Sequence, residues 1–575
     1  MPTDQFEELS MLSTLAQWAT EKGFFADPSA AKLLNNKLDG SGSTLVAQRD
    51  IIATGDSPKA LITCPEAYLI GPRLARTIFG EVFTNPPDSA PAFLKQALIK
   101  LSLLHERAKG SESKLATYID ALPKTLDSPV FWTQEELDNL LEGTNLHGEV
   151  PVKLKQWHDE WDYLTTTTQL ASIAVDMSVT TFEDYKWACG IFMSRAFPAR
   201  IVYGDTPENE GLSMLIPVVD SLNHVPTTPV LWNCSKDSGF TFSVCGNVAE
   251  GHEIFNNYGP KSNEELLLGY GFCSEETRPF DFVMLKLAFP AQMHSLLKAI
   301  GLAENIQEEK PNSDKVFVVF RLELNETLDE KLVTLFGAMT KPDNHNNQTG
   351  LKAMRITGLI TLKKALTQKL NKLTAAVATH QNPNELSSEK QTYRFKSALI
   401  YREGQQAILE ASISNCDTLV QDALASVPKT QQLDLKMVLQ NKDGYFSAIS
   451  DSIKTGFGMK KVKEFQQYGL AEEILSLVLA YERIKGEASR YFGTPLFEQG
   501  AGVRAVNAEL RDSYESFYEG YVKQLLNTGA DVSEEIYNVF GANQSNWNKD
   551  LIVEAGQFIE TFGFMNEKGN WVVLI

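Results

Sequence analysis

The sequence lacks the features that support several common chemistries. Its six cysteines are spread along 575 residues without a C-x-x-C pair, so neither a zinc cluster nor a disulfide framework is indicated. Its apolar runs, such as Ile474 to Tyr481, are far too short to span a bilayer. The N-terminus has neither the apolar stretch of a secretory signal nor an arginine-rich transit pattern. We therefore expect a reduced protein of the cytoplasm, with the nucleus as an alternative location.

Positive charge is also scarce. The 53 lysines and arginines are outnumbered by 73 aspartates and glutamates, which gives a formal net charge of −20. Such a surface repels phosphate backbones and argues against a nucleic-acid partner. It suits a basic protein partner, although simple solubility explains the charge equally well. P-loop, HExxH and GxSxG motifs are missing, and the eight histidines show no metal-ligand spacing.

Length and hydrophobic periodicity predict more than one domain, because 575 residues exceed what one core supports. Strand patterns are predicted at Ser43 to Ile51, Lys59 to Ile70, Ser213 to Asp220 and within Gly239 to Gly259. Helical patterns interrupt them at Ala92 to Gly110, Trp132 to Glu142 and Thr181 to Arg195. After about Phe280 the periodicity is mostly helical, with a terminal strand at WVVLI. A mixed domain with a helical insert is thus followed by a helical region.

Two segments place polar side chains at the ends of apolar runs. LIPVVDSLNHVP ends with Asp220, Asn223 and His224, and EIFNNYGPKSNEELLLGYGF contains Tyr258 and Tyr270. An Asn-His pair and two tyrosines suggest a small-molecule pocket with an aromatic channel. Taken singly, the Asn-His pair also fits a capped turn, and either tyrosine fits a core aromatic.

Together with LVAQRDI (Leu45 to Ile51) and SRAFP (Ser194 to Pro198), these segments resemble the SET-domain protein methyltransferases. The resemblance is to the branch typified by the Rubisco large-subunit lysine methyltransferase, in which a helical insert divides the SET domain and a helical domain follows it. It implies an α+β fold. The implied parts are an N-terminal helix (1–24), the N-terminal part of the SET domain (25–95), the helical insert (96–190), the C-terminal part with the active site (191–280), and a helical substrate-binding domain with a C-terminal extension (281–575).

The resemblance implies S-adenosylmethionine as the cofactor and also implies the residues of the site. Tyr258 matches the catalytic tyrosine, and Tyr270 matches a wall of the substrate-lysine channel. The implied cofactor-binding residues are Gly42, Ser43, Arg195, Asp220, Asn223, His224, Tyr258 and Phe272. No metal ligand is expected, because Cys273 stands alone where many histone-directed relatives carry a zinc-binding cysteine cluster.

One stretch departs from the family pattern. A glycine pair in the family directly precedes the LVAQRDI strand, whereas this chain has Gly40-Ser41-Gly42-Ser43-Thr44. Either the glycines are displaced by two residues or Thr44 replaces one of them. A loop that should follow the cofactor closely is therefore altered.

The function implied by the resemblance is S-adenosylmethionine-dependent protein-lysine N-methylation of a non-histone substrate. The family favours a translation component, such as a ribosomal protein or elongation factor 1-alpha. Two alternatives stay open: methylation of a protein histidine, as in a related branch that acts on actin, and a non-catalytic SET fold that binds a partner. We expect a monomer that binds neither nucleic acid nor membranes.

Overall fold

A computed structural model describes residues 3–36, 42–166, 180–235, 239–307, 314–341, 348–377, 389–440, 446–486, 508–526 and 532–575. The chain divides into two compact units. Unit 1 comprises Met1–Phe282 and Asn371–Ala407, and unit 2 comprises Val283–Leu370 and Ile408–Ile575. Antiparallel sheets combined with many helices confirm the predicted α+β class. The five-part division of the chain stays a prediction.

Unit 1 combines small antiparallel sheets with helices. Its strands are β1 (Ala31–Asn36), β2 (Gly42–Ala47), β3 (Lys59–Cys64), β4 (Phe197–Pro198), β5 (Ser213–Met214), β6 (Val230–Ser235) and β7 (Gly239–Val244). Its helices are α1 (Thr3–Glu21), α2 (Pro72–Phe79), α3 (Glu81–Thr84), α4 (Leu94–Ala108), α5 (Ala116–Ala121), α6 (Gln134–Leu141), α7 (Asn145–Thr166), α8 (Phe182–Arg195), α9 (Arg200–Tyr203) and α10 (Asn263–Tyr270). β1 pairs with β2, β4 pairs with β5, and a three-stranded sheet has the order β3-β7-β6.

Helix α10 begins and ends on local signals that place the second predicted site segment. Ser262 caps its first turn, and Glu265 completes a reciprocal capping box. The helix ends at Gly271, which adopts φ 85°. A Cβ at Gly271 would lie 2.5 Å from the carbonyl carbon of Asp127, so both conformation and space require glycine. This stop makes Tyr270 the last helical residue.

The rest of α10 is held by apolar packing and buried polar contacts within unit 1. Leu267 belongs to a buried cluster that includes Trp132 and Tyr401. Tyr401 also donates its hydroxyl to Glu264 on α10. Burial of two aromatic side chains contributes several kcal/mol to a cluster of this kind, at roughly 1.5–3 kcal/mol per large side chain. The helix is therefore a rigid support for the residues that follow it.

Unit 2 is mainly helical with two small sheets. Its strands are β8 (Phe282–Pro290), β9 (Ile306–Gln307), β10 (Lys315–Glu323), β11 (Gln432–Asp434), β12 (Gly563–Met565) and β13 (Trp571–Leu574). Its helices are α11 (His294–Leu297), α12 (Glu330–Thr340), α13 (Gln348–Val377), α14 (Glu389–Ala425), α15 (Leu435–Leu439), α16 (Ser447–Phe457), α17 (Val462–Gln467), α18 (Ala471–Lys485), α19 (Ala508–Phe517), α20 (Lys523–Leu526), α21 (Glu534–Ile536) and α22 (Lys549–Phe562), with α13 and α14 divided between the units. The sheets have the orders β8-β10-β9 and β11-β13-β12. The apolar run Ile474 to Tyr481 lies buried within α18.

The structure corrects some sequence predictions and confirms others. The strand predicted over Ser213 to Asp220 ends at Met214. The region after Phe280 contains two nine-residue strands, β8 and β10, which the helical prediction missed. Helices α17 and α18 are separated at Gly469, which has φ 68°. The terminal strand is confirmed as β13.

Candidate active site

The two predicted site segments run side by side in unit 1. A parallel bridge joins His224 to Asn256. The Val225 N–H donates to the Asn256 carbonyl at 3.1 Å, and the Asn256 N–H donates to the Asn223 carbonyl at 2.7 Å. The Asn256 side chain is fully buried and accepts at Oδ1 from Trp232 Nε1 at 3.0 Å. These bonds lock the polar ends of the two segments together.

Val218 enters the site in a strained backbone conformation. Its φ of 73° and ψ of −45° make it the one non-glycine residue with positive φ that the described part of the chain contains. A β-branched residue rarely adopts this region, at a cost of about 1–3 kcal/mol. The reversal ends the apolar run early and leads into the short helical turn Val219–Ser221. The strand has already ended at Met214, and the reversal at Val218 leads to the buried Asp220.

The Asp220 carboxylate is buried between a cation and a phenol. Arg195 Nη1 lies 3.6 Å from Asp220 Oδ2 and donates to the Asp220 carbonyl at 2.9 Å. The Tyr118 hydroxyl donates to Oδ2 at 2.7 Å. Burial raises the pKa of Asp220, and the Arg195 charge opposes that rise. Tyr118, from α5, belongs to no motif and was missed by sequence reasoning.

Three rings from the predicted site form a stack. The centroids of His224 and Tyr258 are 4.7 Å apart with planes at 10°, and those of Tyr258 and Tyr270 are 4.9 Å apart with planes at 19°. Phe272 meets Tyr270 edge-on at 6.2 Å. The Tyr258 hydroxyl donates to the Leu222 carbonyl at 2.6 Å. The structure therefore brings both predicted tyrosines to the Asn-His segment.

The stack is uncharged near neutral pH. Burial, with a smaller contribution from the Lys261 charge, lowers the pKa of His224 to about 4, although a backbone hydrogen bond to Asn256 opposes the shift. His224 Nδ1 accepts the Tyr258 N–H at 3.0 Å. Burial raises the pKa of Tyr258, and burial together with the Glu265 charge raises that of Tyr270 to about 12. The two phenols stay protonated, and the imidazole is no general base for an amine of much higher pKa.

A cavity of about 230 Å³ opens beside the stack. Its lining residues are Ser194, Arg195, Ala196, Phe197, Pro198, Asp220, Trp232, Tyr258, Lys261 and Tyr270. Trp232 and Phe197 add an edge-to-face aromatic pair with centroids 5.2 Å apart. Sequence reasoning missed Trp232 and Lys261 as site residues. Lys261 was visible within the second motif, whereas nothing in the sequence marked Trp232.

The remaining predicted residues lie around this cavity without lining it. Asn223 Nδ2 donates to Glu253 Oε1 at 2.7 Å and to the Ser43 carbonyl at 3.4 Å, which joins β2 to the first segment. Gly42 is the first residue of β2 and pairs with Asn36. Gly40 and Ser41 of the altered loop lie outside the described residues. The role of each predicted residue stays a prediction.

Several buried polar atoms near the stack have no hydrogen-bond partner within the protein. They are Thr44 Oγ1, Asp220 Oδ1, His224 Nε2 and Asn256 Nδ2. Leaving such a group unpaired costs about 1–3 kcal/mol. Donors and acceptors left open in one region are typical of a site that binds a polar ligand.

The described residues contain no group of three or more His, Cys, Asp and Glu side chains that could hold a metal ion. Nor does any helix in the described ranges have the length and apolarity to cross a membrane.

Comparison with known proteins identifies the fold and the relatives. The family described as the EFM1 middle domain matches residues 282–427. The ribosomal lysine N-methyltransferase set10 of Schizosaccharomyces pombe is 27% identical over 541 residues, which cover 89% of this chain and 90% of that protein. Ribosomal lysine N-methyltransferase 1 of Saccharomyces cerevisiae is also 27% identical, and the match covers 76% of this chain and 80% of that protein.

A solved structure of Rubisco LSMT bound to AdoMet superimposes with a TM-score of 0.55 at 20% sequence identity. The match covers 72% of this chain and 93% of the other, and it shows a shared SET-domain fold. The chain is therefore similar along most of its length to ribosomal lysine N-methyltransferases, and it shares the SET-domain fold of the Rubisco large-subunit enzyme.

Proposed function

We propose that this enzyme transfers a methyl group from S-adenosylmethionine to a lysine of a non-histone protein of the translation machinery. The observation that carries the proposal is the cavity lined by Tyr258, Tyr270, Trp232 and Phe197, with Arg195 and Asp220 in the same lining. Aromatic walls suit the aliphatic part of a lysine side chain. The ion pair suits a zwitterionic ligand.

The residues present fit the cofactor. S-adenosylmethionine supplies an electrophilic methyl group on a sulfonium and carries an amino acid and an adenosine that need polar partners. The open atoms His224 Nε2 and Asp220 Oδ1 lie on the segments that the family resemblance assigns to it. Arg195 presents a planar guanidinium suited to a carboxylate. Gly42, Ser43, Asn223 and Phe272 are the further residues that we propose hold the cofactor.

The chain's own residues prepare the acceptor amine. A lysine of pKa about 10.4 is neutral about a thousandth of the time near pH 7.4, a cost of roughly 4 kcal/mol. The aromatic walls of the cavity disfavour the ammonium by desolvation. The Tyr258 hydroxyl is committed as a donor to the Leu222 carbonyl, so its oxygen is left to accept from an amine N–H. The amine nitrogen is thereby oriented with its lone pair free.

The choice of substrate is supported by the relatives and by charge. Two relatives are named as ribosomal lysine methyltransferases. The net charge of −20 favours basic acceptors such as ribosomal proteins, and elongation factor 1-alpha is a second candidate. We propose that the enzyme acts as a monomer in the cytoplasm, without binding nucleic acid or membranes.

A wider cavity of about 670 Å³ shares Ala196, Phe197 and Pro198 with the cavity beside the ring stack. Its outer wall includes the segment from Asp205 to Ser213. We propose that the substrate backbone approaches along this wall, where Asp205, Asn209 and Glu210 offer polar side chains.

The test is transfer of a radiolabelled methyl group from S-adenosylmethionine to lysate proteins of a strain lacking this enzyme. We expect label on one or a few translation proteins, at a lysine identified by mass spectrometry. Tyr258→Phe is expected to lower the rate about 100-fold while cofactor affinity measured by calorimetry stays within about threefold. Tyr468→Phe, at an exposed tyrosine of unit 2, serves as the matched control. Label on histidine, or no cofactor binding, contradicts the proposal.

A further inference from the structure

Lys261 lies in the lining of the cavity that we propose receives a lysine. In the sequence, Lys261 lies between the Asn-Tyr-Gly segment that contains Tyr258 and the start of α10. Lys261 Nζ lies 3.2 Å from Glu265 Oε1, and the Lys261 side chain is about 35% exposed. A second ammonium group thus faces the space into which the substrate ammonium must pass.

The counter-ion of Lys261 is built into the helix cap. Although burial alone would raise it, the pKa of Glu265 is lowered by the Ser262 N–H, by the Lys261 charge and by the Ser262 hydroxyl. The Ser262 N–H and hydroxyl donate to Glu265 Oε2 at 2.9 and 3.0 Å. Glu265 therefore stays ionised beside Lys261, and it is not part of the cavity lining.

The other charges that face the cavity are already paired. Arg195 from α8 and Asp220 from the Val219–Ser221 turn form one ion pair, and Tyr118 from α5 also bonds Asp220. Glu253 accepts from Asn223, and the stacked rings of His224, Tyr258 and Tyr270 are neutral near pH 7. A substrate ammonium that enters the cavity is therefore repelled by the Lys261 charge, and none of these groups offers an unpaired carboxylate to compensate.

We infer that Lys261 is an electrostatic residue of the acceptor site, whose ammonium group disfavours the charged form of the substrate lysine and so favours its release of a proton to solvent. The inference rests on the proposed function. Like charges in one site disfavour the second charge, and burial strengthens the effect. The Lys261 charge also contributes to the lowered pKa of His224 in the stack. Lys261 thus adds to the desolvation supplied by the aromatic walls.

The experiment measures the rate of single-turnover methyl transfer as a function of pH. The acceptor is stripped ribosomes or purified elongation factor, whichever the wild-type enzyme methylates. With both ligands saturating, the ascending limb reports the acceptor amine within the complex. Lys261→Gln is expected to move that limb to higher pH by about one unit, which lowers the rate at pH 7 about tenfold and leaves the plateau rate unchanged. Lys261→Arg is expected to restore the wild-type limb.

Glu265→Gln gives the opposite sign. Glutamine can still cap α10, but it no longer offsets the Lys261 charge, so the limb is expected to move to lower pH. A uniform loss of rate at every pH, or a raised KM with an unmoved limb, would show a structural or substrate-binding role for Lys261 and overturn the inference. A wild-type enzyme that labels no lysine would overturn the proposed function as well. An active wild type whose limb stays in place in Lys261→Gln overturns the inference alone.

Discussion

The two units differ in the kinds of buried polar group that they leave without a hydrogen-bond partner. In unit 1, the segments that form the cavity leave Asp220 Oδ1, His224 Nε2 and Asn256 Nδ2 without protein partners. An amide and a neutral imidazole N–H cannot be relieved by taking up a proton, so a ligand or water must satisfy them. The strained Val218 adds to the cost of this arrangement. We therefore expect unit 1 to be less stable without a ligand than with one.

In unit 2 the buried Glu473 Oε2 also lacks a hydrogen-bond partner, but it belongs to a carboxyl group that can take up a proton. The Tyr514 hydroxyl donates to Glu472, and the buried Lys341 ammonium donates to the Glu560 carbonyl. Burial raises the pKa of Glu472 to about 7 and also raises that of Glu473. Protonation can thus replace a missing partner here. We therefore expect the stability of unit 1 to depend on ligand binding and that of unit 2 to depend on the protonation of its buried glutamates.

The largest expected effect comes from removing the cation of the unit 1 ion pair. Arg195→Met leaves the fully buried Asp220 side chain without its opposing charge. Breaking a buried pair in this way costs about 3–5 kcal/mol. We expect a loss of about 3 kcal/mol in the free energy of unfolding at pH 7, measured by urea denaturation. Adding Asp220→Asn should recover part of the loss, because the uncompensated charge is then gone.

The matched control is an exposed ion pair of unit 2. Arg483 contacts Glu554, and both side chains are about half exposed (44% and 48%). Arg483→Met should therefore cost less than about 1 kcal/mol. Equal losses for the two substitutions would break the contrast between the units.

The second effect is ligand stabilisation confined to unit 1. S-adenosylhomocysteine at about 100 times its Kd should stabilise the bound form by about 2.7 kcal/mol. Hydrogen exchange should slow in β2 and in the backbone amides of Val225, Asn256 and Tyr258, which bridge the two site segments. Exchange in α18 of unit 2 serves as the internal reference. Equal protection of α18, or none in the site segments, would contradict the placement of the cofactor.

A third effect tests the acids of unit 2. The folded pKa of Glu472 is raised to about 7 from 4.5, so the native state binds more protons between these values. Stability is therefore lost as pH rises from about 4.5 to 7. Glu472→Gln keeps an acceptor for the Tyr514 hydroxyl and should stabilise the protein by about 2 kcal/mol at pH 8, with little change at pH 4.5. Thermal unfolding at the two pH values measures the difference, and an equal change at both would contradict it.

The sequence predicted the site motifs better than the structure that surrounds them. Tyr258, Tyr270, Asn223 and His224 were found because a motif places them close together in the chain. Their stacking depends on a parallel bridge and on the helix stop at Gly271.

Residues brought to the site by tertiary structure alone could not be predicted. Tyr118 comes from a helix of the insert, and its contact with Asp220 spans 102 positions. Trp232 lies on an ordinary strand, and its role depends on the bond to Asn256. The strand predicted through Val218 was wrong because an apolar periodicity carries no sign of a positive φ. The two strands β8 and β10 were missed among long helices for a similar reason, since short apolar runs fit either structure.

The smallest effect separates the units by the sign of their pH dependence. The folded pKa of His224 is lowered from 6.5 to about 4, mainly by burial. The unfolded state binds more protons between these values, so stability falls as pH drops from about 6.5 to 4, the direction opposite to that of Glu472. Partial exposure reduces the effect to about 1 kcal/mol between pH 7 and 5. Asn at this position can still accept the Tyr258 N–H and has no proton to gain, so His224→Asn should remove that loss. The control is His252→Asn at an exposed histidine, which should leave the loss of stability at low pH unchanged. If His224→Asn also lost stability at low pH as the wild type does, the stacked imidazole would not set the pH dependence of unit 1.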